Sequence, residues 1–468
     1  MTMFFEKVKS EGLAHLSYIV GHNGKAAVID PRRDWQVYVD IATKHEARIT
    51  HIFETHRNED YVVGSLDLAR RTGADIYHGK NLEFAYGNPV SEGDNFDLGD
   101  MNLEVLETPG HTFESISIVL RDLSFGPQPI AVFTGDLLFI GSVGRTDFFP
   151  DRHEEVAGLQ YDGIFDKVLP LGDQVILCPA HGSGSVCGSG MAAREFSTLG
   201  YERENNPELQ IHSRERFVEY KIKEAPEAPP YFRKMEEYNQ NGAPPMDLLP
   251  SPPPMTAEEF DQGMREGMIC LDLRSPEAFA GAFIPGALAI PLQMVPGYAG
   301  YFLPYDKPIG LVADGVDEIE MAVRHLIRLG FDEIVGYLAG GMHDWETSGR
   351  PYDRIATVHV NELTRRLREK EDFTLVDVRK PEELQEDGMF PGALHIFLGD
   401  LPARLDEVPR DKPITTFCGS GKRAIIAASI LKQHGYEHVE DNLGSMAACK
   451  AAGCPTVEAG EEKEPAMA

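Results

Sequence analysis

Four apolar, strand-like runs in the first half of this chain each lead to a polar cluster carrying His or Asp. ARITHIFET runs to His56, LEVLETPGHT to His111, IAVFTGD to Asp136 and QVILCPAHG to His181. Imidazole and carboxylate are the side chains that hold transition metals. One histidine at such a place would be an ordinary hydrogen-bonded loop residue. Four candidates at matching strand ends predict a single metal site on one sheet edge, carried on loops that the sheet holds rigid.

The second cluster is Phe417-Cys418-Gly419-Ser420-Gly421-Lys422-Arg423-Ala424. A strand should end at Cys418 and a helix should begin after the glycines. Glycine-rich backbone at Gly419, Ser420 and Gly421 can turn its N–H groups inward as an anion cradle. The helix N-terminus adds positive potential, and Lys422 and Arg423 add charge. Together these favour a thiolate nucleophile at Cys418. The same cradle would hold a persulfide on that sulfur, or an anionic donor such as thiosulfate.

The elements that must position these residues fall into three parts. A proline-rich stretch over residues 243–255 cannot form helix or central strand and should run extended. Residues 1–242 before it have the size of one domain. After it the sequence repeats: LDLRSPEAF from Leu271 matches VDVRKPEEL from Val376, and both copies then reach PGAL and DKPI. The copies span about 256–352 and 356–458. In each, short apolar strands alternate with helical stretches, which argues for a mainly parallel sheet covered by helices. The tail, 459–468, reads as disordered.

The chain has 468 residues and a formal net charge of −31. So acidic a chain is a poor nucleic-acid ligand, since nothing in it would displace phosphate counterions. No apolar run approaches the length that spans a bilayer, and the N-terminus lacks the apolar core of a signal peptide. The six cysteines are sparse and irregularly spaced. Neither a disulfide framework nor a structural zinc site is indicated, and a reducing cytoplasmic setting is expected.

Across about residues 1–240 the sequence resembles the metallo-β-lactamase superfamily, through LSYIVG, AVIDP, Thr55-His56, TPGHT, TGD at 134–136 and PAHG. The resemblance implies an αββα sandwich. The usual first motif of that family, H-x-H-x-D-H, here reads His56-Arg57-Asn58-Glu59-Asp60-Tyr61. Asn58 and Tyr61 stand where two-metal members have histidines, and Asn and Tyr are poor or rare ligands for such ions. That argues against a dinuclear zinc hydrolase of the lactamase or glyoxalase II type. What survives is His56, His111 and Asp136, the two-His, one-carboxylate set of a mononuclear non-haem Fe(II) site. Zinc takes such sets too, so residue types alone leave both metals open. The persulfide dioxygenase branch of the superfamily is similar in using these positions for iron. It also carries a GRTDF segment, here Gly144-Arg145-Thr146-Asp147-Phe148. The resemblance implies one Fe(II) per chain. Asp60 and His181 would stand behind the ligands, orienting them or water, and Arg145 would contact substrate or support the site. Cys187, in HGSGSVCGSG, has two readings: a sulfur that holds a persulfide near the metal, or a small buried hydrophobe. Cys178 reads as core.

The C-terminal repeat resembles the rhodanese family, through VDVRKPEE, FPGAL and a C-x₄-R loop whose short span suits sulfur rather than phosphate or arsenate. The first repeat is an internal control. Positions 313 and 318, which align with Cys418 and Arg423 at an offset of 105, are Ala313 and Glu318. With Asp314 and Asp317 beside them they would repel an anion, so this copy reads as an inactive pseudo-rhodanese serving as scaffold, spacer or oligomer contact. Cys270, Cys449 and Cys454 lie outside any such loop and read as structural.

These readings combine into an expected function. A low-molecular-weight persulfide, of glutathione, coenzyme A or a similar thiol, would be oxidised by O2 at iron to sulfite and thiol. Cys418 would either load persulfide for that site or pass sulfur to sulfite to give thiosulfate. Relatives make a homo-oligomer the expected assembly. Two rivals stand beside this: a zinc-dependent thioester hydrolase with an appended sulfurtransferase, and a sulfur carrier with a degenerate N-terminal domain.

Overall fold

The computed structural model describes residues 3–457 except 186, 189, 225–227 and 455. The expected disordered tail at 459–468 lies outside the described residues. The chain divides into two compact units, one of Met1–Leu249 with Ile327–Gly330, the other of Pro250–Leu326 with Phe331–Ala468.

The first unit contains two sheets. One has six strands in the order Phe4–Ser10, His15–His22, Lys25–Ile29, Arg48–Glu54, Asp75–Gly79 and Asn88–Val90. The other has five, in the order Ile176–Pro179, Pro129–Gly135, Ile116–Asp122, Met101–Glu107 and Asn95–Leu98. Its apolar runs are continuous because both faces are covered. Along Lys25–Ile29, Ala27 and Ile29 join the core between the sheets, with Phe53, Leu103, Ile118 and Phe133. Ala26 and Val28 turn the other way, onto Tyr38 and Ala42 of the helix Gln36–Lys44 and Leu68 of the helix Ser65–Thr72. Strand Pro129–Gly135 does the same on the second sheet. Phe133 faces the inner core, and Val132 the outer cluster with Ile164, Val168 and Phe217. This two-residue alternation builds the αββα layering that the sequence predicts. Truncating a wholly buried inner residue such as Phe53 to Ala should cost about 3–5 kcal/mol.

The layering places the strand ends. Strands Met101–Glu107, Pro129–Gly135 and Ile176–Pro179 all point one way, since the last two are parallel neighbours and the first two are both antiparallel to Ile116–Asp122. The strand Arg48–Glu54 of the other sheet ends beside them: the amide of Ile116 donates to the Thr55 carbonyl at 2.8 Å. Four chemistry-bearing loops therefore meet at one edge.

The second unit holds two five-stranded sheets, parallel throughout. The first runs Pro254–Met255, Ile334–Leu338, Ile309–Val312, Ile269–Asp272 and Leu288–Ala289. The second, in the same order, runs Ala356–Val358, Val439–Asn442, Ile414–Phe417, Thr374–Asp377 and Leu394–His395. The copies keep the same buried ion pair, Arg274 on Asp272 and Arg379 on Asp377, each closest at 2.6 Å. The proline-rich stretch ends as an edge strand, Pro254–Met255, where proline's missing N–H is harmless. Among the described residues no helix is long and apolar enough to cross a membrane.

Candidate metal centre and persulfide loop

At the edge of the first unit, His56, His111, Asp136 and His181 come together, all buried. Asp136 Oδ2 lies 3.8 Å from His56 Nε2 and 3.6 Å from His111 Nε2. Neither His56 Nε2 nor Asp136 Oδ2 has a hydrogen-bond partner. Orphaned buried polar atoms are costly unless something shares them.

The ring orientations say what that something is. His111 Nδ1 lies 2.9 Å from the Arg145 carbonyl oxygen, which only accepts, so Nδ1 carries the proton. Thr55 Oγ1 donates to Asp30 Oδ2 at 2.8 Å and therefore accepts from His56 Nδ1 at 2.9 Å. His56 Nε2 and His111 Nε2 both face Asp136 Oδ2, and although burial opposes it, Glu59 raises the His111 imidazole above its ordinary range. Two imidazole nitrogens facing a carboxylate oxygen are the donor set of a metal cation, and the residues fit one. Burial pushes the His56 imidazole down to about 4, so it does not answer the carboxylate with a proton of its own.

Two glycines make the close approach possible. A Cβ at Gly144 would sit 1.8 Å from the Asp136 carbonyl oxygen, and one at Gly135 2.5 Å from Thr55 Oγ1. These are the glycines of the GRTDF and TGD segments.

His181 has a different part. Its Nδ1 lies 2.7 Å from Asp136 Oδ1 and its Nε2 3.0 Å from Asp60 Oδ2. Burial opposes its charge, but Asp136 and Asp60 more than offset this and hold the imidazole well above its usual range. It thereby occupies Oδ1 of Asp136 and leaves Oδ2 to the site. Asp136 itself, despite burial, is held below the usual carboxylate range by His181 and His56.

The two departures from the family motif have neighbours of their own. Asn58 Nδ2 points back to the His56 carbonyl at 3.2 Å. The Tyr61 ring lies tilted 4.0 Å from the His15 ring and edge-on to the His181 ring at 6.2 Å, and burial raises its phenol well above the ordinary range. Asp60, His181 and Cys187 form a second buried group whose ligand atoms lie within 4.8 Å of one another. Burial, then Asp60, Asp136 and Glu59, push the Cys187 thiol well above its usual range, so its environment favours the neutral thiol over a resident thiolate. Cys178 lies in the inner core, as expected.

Arg145, expected to contact substrate or support the site, pairs its guanidinium with Asp147 through two bonds of 2.7 Å, sits over the Phe148 ring and accepts from His111 Nδ1 through its carbonyl. Three further residues escaped the sequence reading. Glu59 Oε2 lies 3.3 Å from His111 Nε2. Glu114 accepts from the Arg57 amide and the Thr112 hydroxyl. Asn239, on the helix Phe232–Asn241, donates to the Asn58 and Tyr61 carbonyls at 2.6 and 2.7 Å and braces the ligand loop. A carboxylate three residues after a candidate ligand, inside a short loop, was the available signal for Glu59.

In the second unit Cys418 is buried at the end of strand Ile414–Phe417, and the helix Lys422–Gln433 begins after Gly421, which adopts φ 94°. That helix is apolar over Ala424–Leu431, so packing fixes its N-terminus against the loop. The Gly421 amide donates to Cys418 Sγ at 3.1 Å, and the Cys418 amide to Ser445 Oγ at 3.1 Å. Arg423 is clamped by both carboxylate oxygens of Glu383, and its charge acts on the phenol of Tyr298 in the first repeat. Burial pushes that phenol up to about 12. Of the expected cradle, Gly421 thus touches the sulfur directly and Arg423 is held in an ion pair beside it. In the first repeat the corresponding loop closes on itself: the Asp314 amide donates to Glu318 Oε2 at 3.0 Å.

A model of the metallo-beta-lactamase superfamily matches residues 11–181, and a model of the rhodanese-like domain matches 256–348 and 359–452. A solved metallo-beta-lactamase from Staphylococcus aureus subsp. aureus COL is 31% identical, covering 72% of this chain and 99% of its own, with a TM-score of 0.65. The chain belongs to the metallo-β-lactamase superfamily, with two rhodanese-like domains following the metallo-β-lactamase domain. Among curated relatives, the hydroxyacylglutathione hydrolase GloC of Haemophilus influenzae is 26% identical over 40% of this chain and 89% of its own. A mitochondrial persulfide dioxygenase from Bos taurus is 28% identical over 43% of this chain and 74% of its own. A sulfurtransferase from Allochromatium vinosum is 38% identical over 20% of this chain and 88% of its own.

Proposed function

We propose that this chain oxidises a low-molecular-weight persulfide with dioxygen at one iron held by His56, His111 and Asp136, and transfers sulfane sulfur through Cys418. The observation that carries the reading is the convergence of the His56 and His111 Nε2 atoms on the unpartnered Asp136 Oδ2. The likeness to a persulfide dioxygenase and a sulfurtransferase supports it.

When bound, iron would supply the one-electron chemistry that lets dioxygen react. The chain's own residues do the rest. Thr55 and Arg145 fix the ring tautomers, and His181 holds Asp136 Oδ1. His56, His111, Asp136 and His181 are all buried, which keeps bulk water from them. The balanced reaction is R–S–SH plus O2 plus H2O to R–SH and sulfurous acid, which ionises to sulfite. In the second unit, sulfite attacks the outer sulfur of a Cys418 persulfide. The S–S bond breaks, thiosulfate leaves, and the Gly421 amide receives the thiolate. Joining both sites on one chain raises the effective concentration of sulfite at the loop. A cytoplasmic setting and a glutathione or coenzyme A thiol suit this chemistry.

The second reading is a two-metal thioester hydrolase. It is favoured by the Asp60, His181 and Cys187 group and by the GloC likeness. Oxygen uptake by iron-reconstituted protein given glutathione persulfide, with metal content measured on the same sample, separates the two. Iron-dependent uptake yielding sulfite or thiosulfate supports the dioxygenase. No uptake with two bound zinc ions would replace it with the hydrolase.

A further inference from the structure

Glu59 has no part in the three-ligand set just described, yet its carboxylate is wholly buried in the site. Its Oε2 lies 3.3 Å from His111 Nε2, and the ligand atoms of His56, Glu59 and His111 all lie within 4.8 Å of one another. Its Oε1 has no hydrogen-bond partner, and the nearest cation, Arg57 Nη2, stands 3.6 Å away. Glu59 Oε2 and Asp136 Oδ2 thus both face His111 Nε2, while Arg57 answers Glu59 Oε1 only by an ion pair. Two buried carboxylates set around two imidazoles are the donor set of a divalent cation.

We infer that Glu59 is itself a ligand of the metal centre, joining His56, His111 and Asp136. The inference rests on the metal-centre reading above and changes its chemistry. A second carboxylate balances the charge of a divalent ion, and hard oxygen donors favour Fe(II) or Mn(II) over softer-site ions. A further protein donor also leaves fewer positions for small molecules.

The test is Fe(II) binding to the full chain under anaerobic conditions, by competition with a chelator, in wild type, Glu59→Gln, His56→Ala and Glu54→Gln. Glu54 is a buried carboxylate whose two oxygens accept from Tyr86 and which has no ligand part. Glu59→Gln should weaken Fe(II) at least about tenfold with Glu54→Gln near wild type. The metal-loaded wild type, by crystallography, should place a Glu59 oxygen at bonding distance. Unchanged affinity in Glu59→Gln, or a Glu59 carboxylate outside bonding distance, overturns the inference, and the second readout stands even if the variant fails to fold. Loss of Fe(II) in His56→Ala but not in Glu59→Gln would sink this inference alone. A wild type that binds no ion would sink the metal-centre reading with it.

Discussion

His181 Nδ1 lies 2.7 Å from Asp136 Oδ1, and this contact fixes which carboxylate oxygen is left to face His56 and His111. In a His181→Asn chain Asp136 can rotate. Metal should then be retained about 10–100-fold less tightly, while His56, His111 and Asp136 are all still present. Metal titration of the variant checks this, and unaltered affinity would mean that His181 has no positioning role.

Gly144 gives a backbone version of the same point. A Cβ there would meet the Asp136 carbonyl oxygen at 1.8 Å and His111 Nδ1 at 3.3 Å. Gly144→Ala must push the two ligands apart, so both stability and metal should suffer. A loss of about 1–3 kcal/mol is expected in denaturant unfolding, together with depleted metal. A variant with a wild-type midpoint and full metal would contradict the packing described.

The two sites should separate cleanly by mutation. Cys418→Ser should abolish thiosulfate formation from persulfide and sulfite while leaving oxygen uptake intact. Tyr298→Phe removes the phenol on which the Arg423 charge acts. It should slow sulfur transfer severalfold without touching oxygen uptake. If Tyr298→Phe leaves transfer unchanged, the first repeat contributes nothing to the loop's chemistry.

How much of this was legible beforehand follows from where each signal lies. The strand runs were readable because both sheet faces are buried, which makes Ala26 to Ile29 apolar without a break. The repeat was readable because its ion pair, Asp272 with Arg274 and Asp377 with Arg379, recurs at the same offset. Glu59 was not, because a lone acid in a loop has the statistics of a solvated one. Asn239 was not, because it meets Asn58 from a helix far along the chain. The part of Arg145 was hidden in its carbonyl, an atom that every residue has.

Stability should depend on pH through Asp441. Burial pushes its carboxyl up to about 8, with a hydrogen bond from Thr416 only partly offsetting it. The ordinary value is about 4. Below about pH 4 both states hold the proton. Between about 4 and 8 only the folded state does, so this group's contribution falls as pH rises through that window and is flat above it. Asp441→Asn should therefore raise stability by about 1–3 kcal/mol near pH 8 and change little near pH 4. Unfolding curves at both ends decide it. Equal gains at the two pH values would mean that the carboxyl is not the cause.

The loop that closes on Glu318 in the first repeat limits what a single substitution there can do. Restoring a thiol there by Ala313→Cys would not restore a place for an anion, because the Glu318 carboxylate already holds the Asp314 amide. The route back to chemistry needs more than one simultaneous change, none of them useful alone.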